Sequence, residues 1–271
     1  MRFAAVVEYD GSAFCGWQRQ PGVATVQEMV EQALSRVADR PVTVVVAGRT
    51  DAGVHAVAQV FHFDTDAQRS PRSWLRGTNT HLPGSVALTW AGPVAPGFHA
   101  RFSAIGRCYR YYLLNRQVPS GLWRGKLGWD YRPLDVERMT CAARQLLGRH
   151  DFTSFRATQC QAKSPIRELR QLDVVRTGDL ICITATANAF LHHMVRNLVG
   201  VLATVGAGER EPEWAGAVLR ARSRSQGGVT ATPDGLYLVG VQYPAGLGPP
   251  ATFEGTFHGT INFPPVSPLL D

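Results

Sequence analysis

Residues 41–64 read PVTVVVAGRTDAGVHAVAQVFHFD, two β-rich apolar runs separated by the short segment RTDAG. The runs 41–48 and 54–64 predict strands, which places Asp51 on a loop carried between two rigid elements. Toward the N-terminus, RFAAVVEYDG (2–11) alternates Phe3, Ala5, Val7 and Tyr9 on one face and stops at an Asp-Gly turn, the pattern of a strand. Thr25 and Glu28 have the spacing of a capping box ahead of Val26, Met29, Val30, Ala33, Leu34 and Val37, which share one helical face. Ser70-Pro71 marks the start of a second helix, with Ser as cap and Pro in the first turn.

Toward the C-terminus, CYRYYLLN (108–115) predicts a strand with Tyr109 and Tyr111 on one face and Arg110 and Tyr112 on the other. A helix is expected from Asp135 to about Leu147, ended by Gly148. A hairpin is expected to turn at Gly178-Asp179. In NAFLHHMVRNLVGVLATVGAG, Leu191, Met194, Val195, Leu198 and Leu202 form a helical stripe, and GLYLVGVQY is a last strand. Strand, helix, strands, helix thus occurs once before about residue 103 and again after it. That order predicts an α+β fold of two sequential halves, 1–103 and 104–244, rather than a doubly wound parallel sheet. The segment 245–271, rich in Gly and Pro, reads as an irregular tail.

A chain of 271 residues that is 45% hydrophobic and 18% charged can bury a full core and is not a disordered polar tail. The excess of 28 Lys and Arg over 21 Asp and Glu, a net charge of +7, favours a polyanionic partner such as nucleic acid. Five scattered cysteines without a C-x-x-C pair read as reduced thiols. The opening MRFAAVVEYDGS does not have the pattern of a signal peptide and no apolar run approaches membrane-spanning length, so a cytoplasmic location is expected.

Several chemistries are excluded. There is no G-x-x-x-x-G-K-[ST] loop, and VGAGERE carries Glu211 where a dinucleotide fingerprint needs its third glycine. The His-x-Glu and Pro-Cys-x-x-Cys elements of zinc deaminases are missing. His192 and His193, read as neighbours on a helix, would point about 100° apart and make a poor chelating pair, so no metal site is expected. No carboxylate pair suited to glycoside hydrolysis stands out.

Asp51 remains. A loop aspartate commonly caps its own backbone. Here, however, Gly48 and Gly53 permit close approach of a ligand, Arg49 supplies a countercharge two residues away, and the flanking strands give a rigid base. Arg196, on the same predicted helix as the His pair, is a second basic candidate; a solvated helix-face arginine is the alternative reading.

AGRTDAGVHA (47–56) resembles the active-site motif of the TruA family of tRNA pseudouridine synthases. EYDGSAFCGWQRQ, TVQEMVEQAL, FHARFSA, YRYYLLN, DFTSFRA, ANAFLHHMVRNLVG and GLYLV resemble further segments of that family, in its order, from about residue 3 to about residue 244. The resemblance implies two tandem ferredoxin-like, RRM-like halves joined into a mainly antiparallel sheet with helices on one face and an active-site cleft between the halves. It also implies an isomerase without cofactor or metal that detaches uracil at N1–C1′, rotates it and rejoins it through C5.

By the same resemblance, Asp51 corresponds to the nucleophile and Tyr109 to the tyrosine that packs on uracil and exchanges a proton at C5. Arg196 corresponds to the basic partner of the nucleophile, and Arg49 to the arginine that takes the space of the flipped nucleotide. Leu236 corresponds to the apolar residue lining the uracil pocket. Phe98, His99, Ala100, Arg101 and Phe102, and Gln159, Cys160, Gln161, Ala162 and Lys163, match stretches that contact tRNA. The family's substrate is the anticodon arm, with uridines at positions 38, 39 and 40 as targets, and its members act as homodimers. Two other readings compete: a non-catalytic RNA-binding or RNA-chaperone module on the same fold, and a nucleoside hydrolase that would release free uracil.

Overall fold

The structure, a computed structural model, describes residues 1–250. In chain order its elements begin with β1 (Arg2–Tyr9), α1 (Val26–Ala38), β2 (Val45–Val46), β3 (His55–Asp64), α2 (Pro71–His81) and β4 (Val86–Pro93). They continue with β5 (Gly106–Asn115), β6 (Gly128–Asp130), α3 (Val136–Arg144), β7 (Gly148–Asp151), β8 (Ile166–Thr177) and β9 (Leu180–Ala187). The last are α4 (Met194–Gly206), α5 (Glu213–Ala221) and β10 (Leu236–Gln242). The fold is mixed α+β with largely antiparallel pairing and, among the described residues, five α-helices. No helix among these residues is long and apolar enough to cross a membrane.

The chain forms two compact units, one of Met1–Arg107 with the strand that resumes at Tyr237, the other of Cys108–Leu236. In the first unit β1 lies between β3 and β4, antiparallel to both, and β10 runs parallel to β3 with Tyr237 opposite His55. Within β1, Ala4 and Val6 are buried as fully as Ala5 and Val7, so both faces of the strand are covered. Helices α1 and α2 pack on each other, and Phe63 meets Trp74 of α2 edge-on at 5.0 Å. Ser70 caps α2 as expected, its side chain accepting from the Ser73 amide at 3.1 Å.

Two local expectations are corrected here. The run 41–48 supplies only the short β2, because β3 has one free edge to share: β10 pairs at His55 and Ala56, and β2 at Phe61 and His62. Val42 and Val44 are tied to α1 instead, through Ser35 Oγ (2.9 Å) and Glu31 Oε1 (3.1 Å). Thr25 does precede α1, but its side chain makes no capping hydrogen bond. The Gly16 and Trp17 carbonyls accept from Val26 and Gln27 (3.2 and 3.0 Å), so the first orphan amides are satisfied by backbone and need no hydroxyl.

In the second unit β7, β8 and β9 form antiparallel pairs, with β9 next to β5 and the short β6 parallel to β5. The β8–β9 hairpin turns at Gly178 (φ 57), where the sequence places it. Asp135 caps α3 by accepting from the Glu137 and Arg138 amides (2.8 and 3.0 Å). That helix stops at Arg144, short of the expected Leu147. Gly148, with φ 103, opens β7 rather than closing the helix. Helix α5 is additional to the expected elements, and its Ala215, Val218 and Leu219 are buried at helical spacing. Of the expected tail, residues 245–250 are turns and bends, and 251–271 lie outside the described residues.

Candidate active site

The segment 47–54 between β2 and β3 is held almost residue by residue. The Ala47 amide donates to the Val60 carbonyl (2.8 Å), and the Ala47 carbonyl accepts from the Arg107 guanidinium (2.9 Å). The Gly48 carbonyl accepts from Gln59 Nε2 (2.7 Å), and the Thr50 carbonyl from the Trp17 amide (3.1 Å). Thr50 Oγ1 pairs with the buried Tyr9 hydroxyl (2.8 Å). Burial pushes the Tyr9 phenol up to about 12, so it remains a neutral partner at ordinary pH. Beyond Asp51, the Val54 amide closes a turn onto the Asp51 carbonyl (3.1 Å), and Gly53, at φ 78, donates to the Phe14 carbonyl (3.3 Å). Only a residue without Cβ passes easily through that torsion.

The N-terminal EYDG segment braces the same loop. The Gly11 amide donates to His55 Nδ1 (3.0 Å), and a Cβ at Gly11 would run into the Val54 carbonyl. The His55 ring stacks on Tyr237 with centroids 4.5 Å apart. The loop therefore offers a rigid frame on which Asp51 is half-buried while Arg49 and Ala52 face solvent.

The FHARF stretch (98–102) belongs to the same unit. Phe98 and Ala100 are fully buried, His99 is half-buried, and Arg101 and Phe102 are exposed, Phe102 at 76%. Four side chains anchor it. His62 Nδ1 accepts from the Ala100 amide (3.1 Å) and Tyr243 donates to the Ala100 carbonyl (2.7 Å). Arg2 donates to the Phe98 carbonyl (2.8 Å) and Arg107 to the carbonyls of Arg101 (2.9 Å) and Ala104 (3.1 Å). Burial, reinforced by the charges of Arg2 and His99, lowers His62 to about 4, so it is a neutral acceptor at ordinary pH. On this base the Phe102 ring stacks on His99 (4.3 Å, 29°) with the Arg101 guanidinium 5.6 Å from the Phe102 ring centre. A flat aromatic with a cation beside it suits a base and its phosphate.

In the second unit Tyr109 lies in β5, buried to 8% exposure, with its ring edge-on to Phe190 at 5.1 Å. Arg196 stands in the first turn of α4, and its Nε donates to the Ala231 carbonyl (2.7 Å) while its own carbonyl accepts from the Ala231 amide (3.1 Å). That pair of bonds sets the direction of the guanidinium. Leu236 is buried at the first position of β10. Gln159, Gln161 and Lys163 are exposed, and Cys160 and Ala162 half-buried, on a stretch outside regular structure.

One geometric premise is overturned: His192 and His193 are not on the helix. Helix α4 starts at Met194, and His193 is its left-handed cap (φ 62), so the 100° spacing of helical neighbours does not apply. Their rings approach to 4.1 Å, tilted by 45°. The anchors Arg107, His62 and Tyr243 carry no sequence signal, because a buried Arg, His or Tyr has no pattern that separates it from a surface one.

The family described as tRNA pseudouridine synthase matches residues 5–103 and 142–244, which include the Asp51 loop, the FHARF stretch and Arg196. The chain is 57% identical over 256 residues to tRNA pseudouridine synthase A of Methylococcus capsulatus, covering 94% of each chain. It is 58% identical over 244 residues to the enzyme of the same name from Nitrosococcus oceani, covering 90% of this chain and 94% of that one. The counterpart from Alcanivorax borkumensis is 54% identical over 244 residues, with coverage of 90% and 91%. A family match over most of the chain, joined to identities above half across nearly its whole length, places this chain in the tRNA pseudouridine synthase family.

Proposed function

We propose that the chain is an isomerase that converts uridine to pseudouridine in tRNA, with Asp51 as the nucleophile. The observation that carries the reading is a half-buried carboxylate at the centre of a loop whose backbone is pinned on both sides. Such a frame holds a nucleophile at fixed geometry before substrate arrives. The chemistry balances without a redox partner: the N1–C1′ bond breaks, C1′–C5 forms, the C5 proton leaves, and N1 ends with a proton. No cofactor is required by that balance.

Tyr109 supplies the face on which uracil packs and the group that exchanges the C5 proton, and Leu236 gives the pocket an apolar wall. Arg196 pairs with the nucleophile. Arg49, exposed beside Asp51, fills the space of the flipped nucleotide. The targets are the uridines at positions 38, 39 and 40 of the anticodon arm, held by a homodimer through Arg101, Phe102, Gln159, Gln161 and Lys163, and the place of action is the cytoplasm.

The test is incubation with tRNA carrying tritium at C5 of uridine. Release of tritium by the wild type, lost in Asp51→Asn with RNA binding retained, is the expected result. No release by the wild type overturns the reading in favour of a binding module, and free uracil among the products overturns it in favour of a hydrolase.

A further inference from the structure

Arg107 is 9% exposed, and its guanidinium reaches two loops at once. One terminal nitrogen donates to both the Ala47 carbonyl and the Arg101 carbonyl, each at 2.9 Å, and the other to the Ala104 carbonyl at 3.1 Å. Ala47 is the first residue of the Asp51 loop, and its amide is already fixed to β3 through Val60. Arg101 adjoins Phe102, the exposed ring of the FHARF stretch. A buried cation is costly to desolvate, and it is tolerated where its donors are met. Only a planar fork spreads donors to separate carbonyls in fixed directions; an ammonium is a compact point charge on a flexible stem.

We infer that Arg107 is a positioning residue that couples the RNA-contacting stretch 98–102 to the Asp51 loop, so that seating RNA against Phe102 sets the placement of the nucleophile. The inference rests on the reading of Asp51 as nucleophile and of 98–102 as an RNA contact. Tyr243 marks the contrast, since it holds the same stretch through the Ala100 carbonyl (2.7 Å) but is shown bonded to no atom of the Asp51 loop.

The test uses the full chain and tritiated tRNA under single turnover at saturating enzyme. Arg107→Lys is expected to slow release by about 10- to 100-fold, as a misplaced reacting group does, while the Kd for tRNA moves by less than about threefold. Phe102→Ala is expected to slow the wild-type rate, yet to leave the rate of Arg107→Lys unchanged within about twofold, because the coupling is already cut. Tyr243→Phe is expected to raise Kd more than it slows the rate. Additive effects of Phe102→Ala and Arg107→Lys, or a rate for Arg107→Lys within about twofold of wild type, overturn the inference. If Arg107→Lys does not fold, hydrogen exchange decides: amides 47–53 of RNA-free Phe102→Ala exchange faster than in wild type if the loops move together, and equal rates overturn the coupling. A wild type that releases no tritium overturns the function itself, whereas an active wild type with an unaffected Arg107→Lys overturns only this step.

Discussion

The two stretches expected to meet RNA are built in opposite ways. FHARF is bonded through its backbone to His62, Tyr243, Arg2 and Arg107, and it shows solvent a preset pair, Arg101 and Phe102. QCQAK has a sparser local frame, with the Cys160 amide donating to the Ala157 carbonyl (3.0 Å) and the Ala157 amide to the His192 carbonyl (2.9 Å). It offers exposed Gln159, Gln161 and Lys163. A stretch whose backbone is already ordered loses little entropy on binding and can hold a base at defined geometry. A looser polar stretch adapts to a phosphate path and contributes chiefly charge. Orientation and charge are thus expected to come from different stretches of the chain.

The largest effect expected is at the loop that FHARF is tied to. Asp51→Asn should lower single-turnover tritium release by at least about 10⁴-fold, as removal of a nucleophile does, with Kd for tRNA within a few-fold of wild type because phosphate contacts dominate affinity. Retained turnover would break the contrast between a chemical and a binding region. Next, Phe102→Ala should weaken tRNA binding by about 1–3 kcal/mol, the range for one base–aromatic stack, with a largely unchanged salt slope. Lys163→Ala should behave in the opposite way in a salt titration, costing about 1 kcal/mol or less while reducing the slope of log K against log salt by about one. Equal salt slopes for Phe102→Ala and Lys163→Ala would erase the proposed division.

The smallest effect concerns the anchoring itself. His62 faces Arg2, His99 and Asp64, and its folded value of about 4 lies below the ordinary histidine value of 6.5. The unfolded chain therefore binds the proton more tightly. The stability contributed by neutral His62 is complete above about pH 6.5 and is lost as pH falls toward 4, with a slope of at most about 1.4 kcal/mol per pH unit. Urea unfolding of the wild type across that window should show the loss, and His62→Gln should flatten it. An unchanged slope in His62→Gln would assign the acid sensitivity to other groups.

Much of the fold was legible in local pattern. The Ser-Pro start of α2, the Asp135 cap and the Gly178 turn each rest on contacts between near neighbours, which a sequence displays directly. The failures came where distant chain competed. The strand expected over 41–48 shares its partner edge with β10, which lies nearly two hundred residues away in sequence and pairs at His55 and Ala56. The expected Thr25 cap was displaced by the carbonyls of Gly16 and Trp17. The His pair was misplaced because a left-handed His193 ends the preceding turn, a torsion that no periodicity reports. α5 has its signal in the spacing of Ala215, Val218 and Leu219, diluted by the glycines and arginines around it.

The sequence by itself determined the α+β class, the loop position of Asp51, and the family, because motif order and apolar periodicity survive without coordinates. It marked Arg49 and Arg196 by their charge as well as by resemblance, and Tyr109 and Leu236 as site residues by resemblance alone. Only the tertiary structure decided how the Asp51 loop is braced, since its hydrogen bonds come from Tyr9, Trp17, Gln59 and Arg107, side chains and amides brought in from four separate segments. Long-range backbone acceptors carry no sequence signature. The carbonyl of Ala47 looks like any other until folding places a buried guanidinium against it.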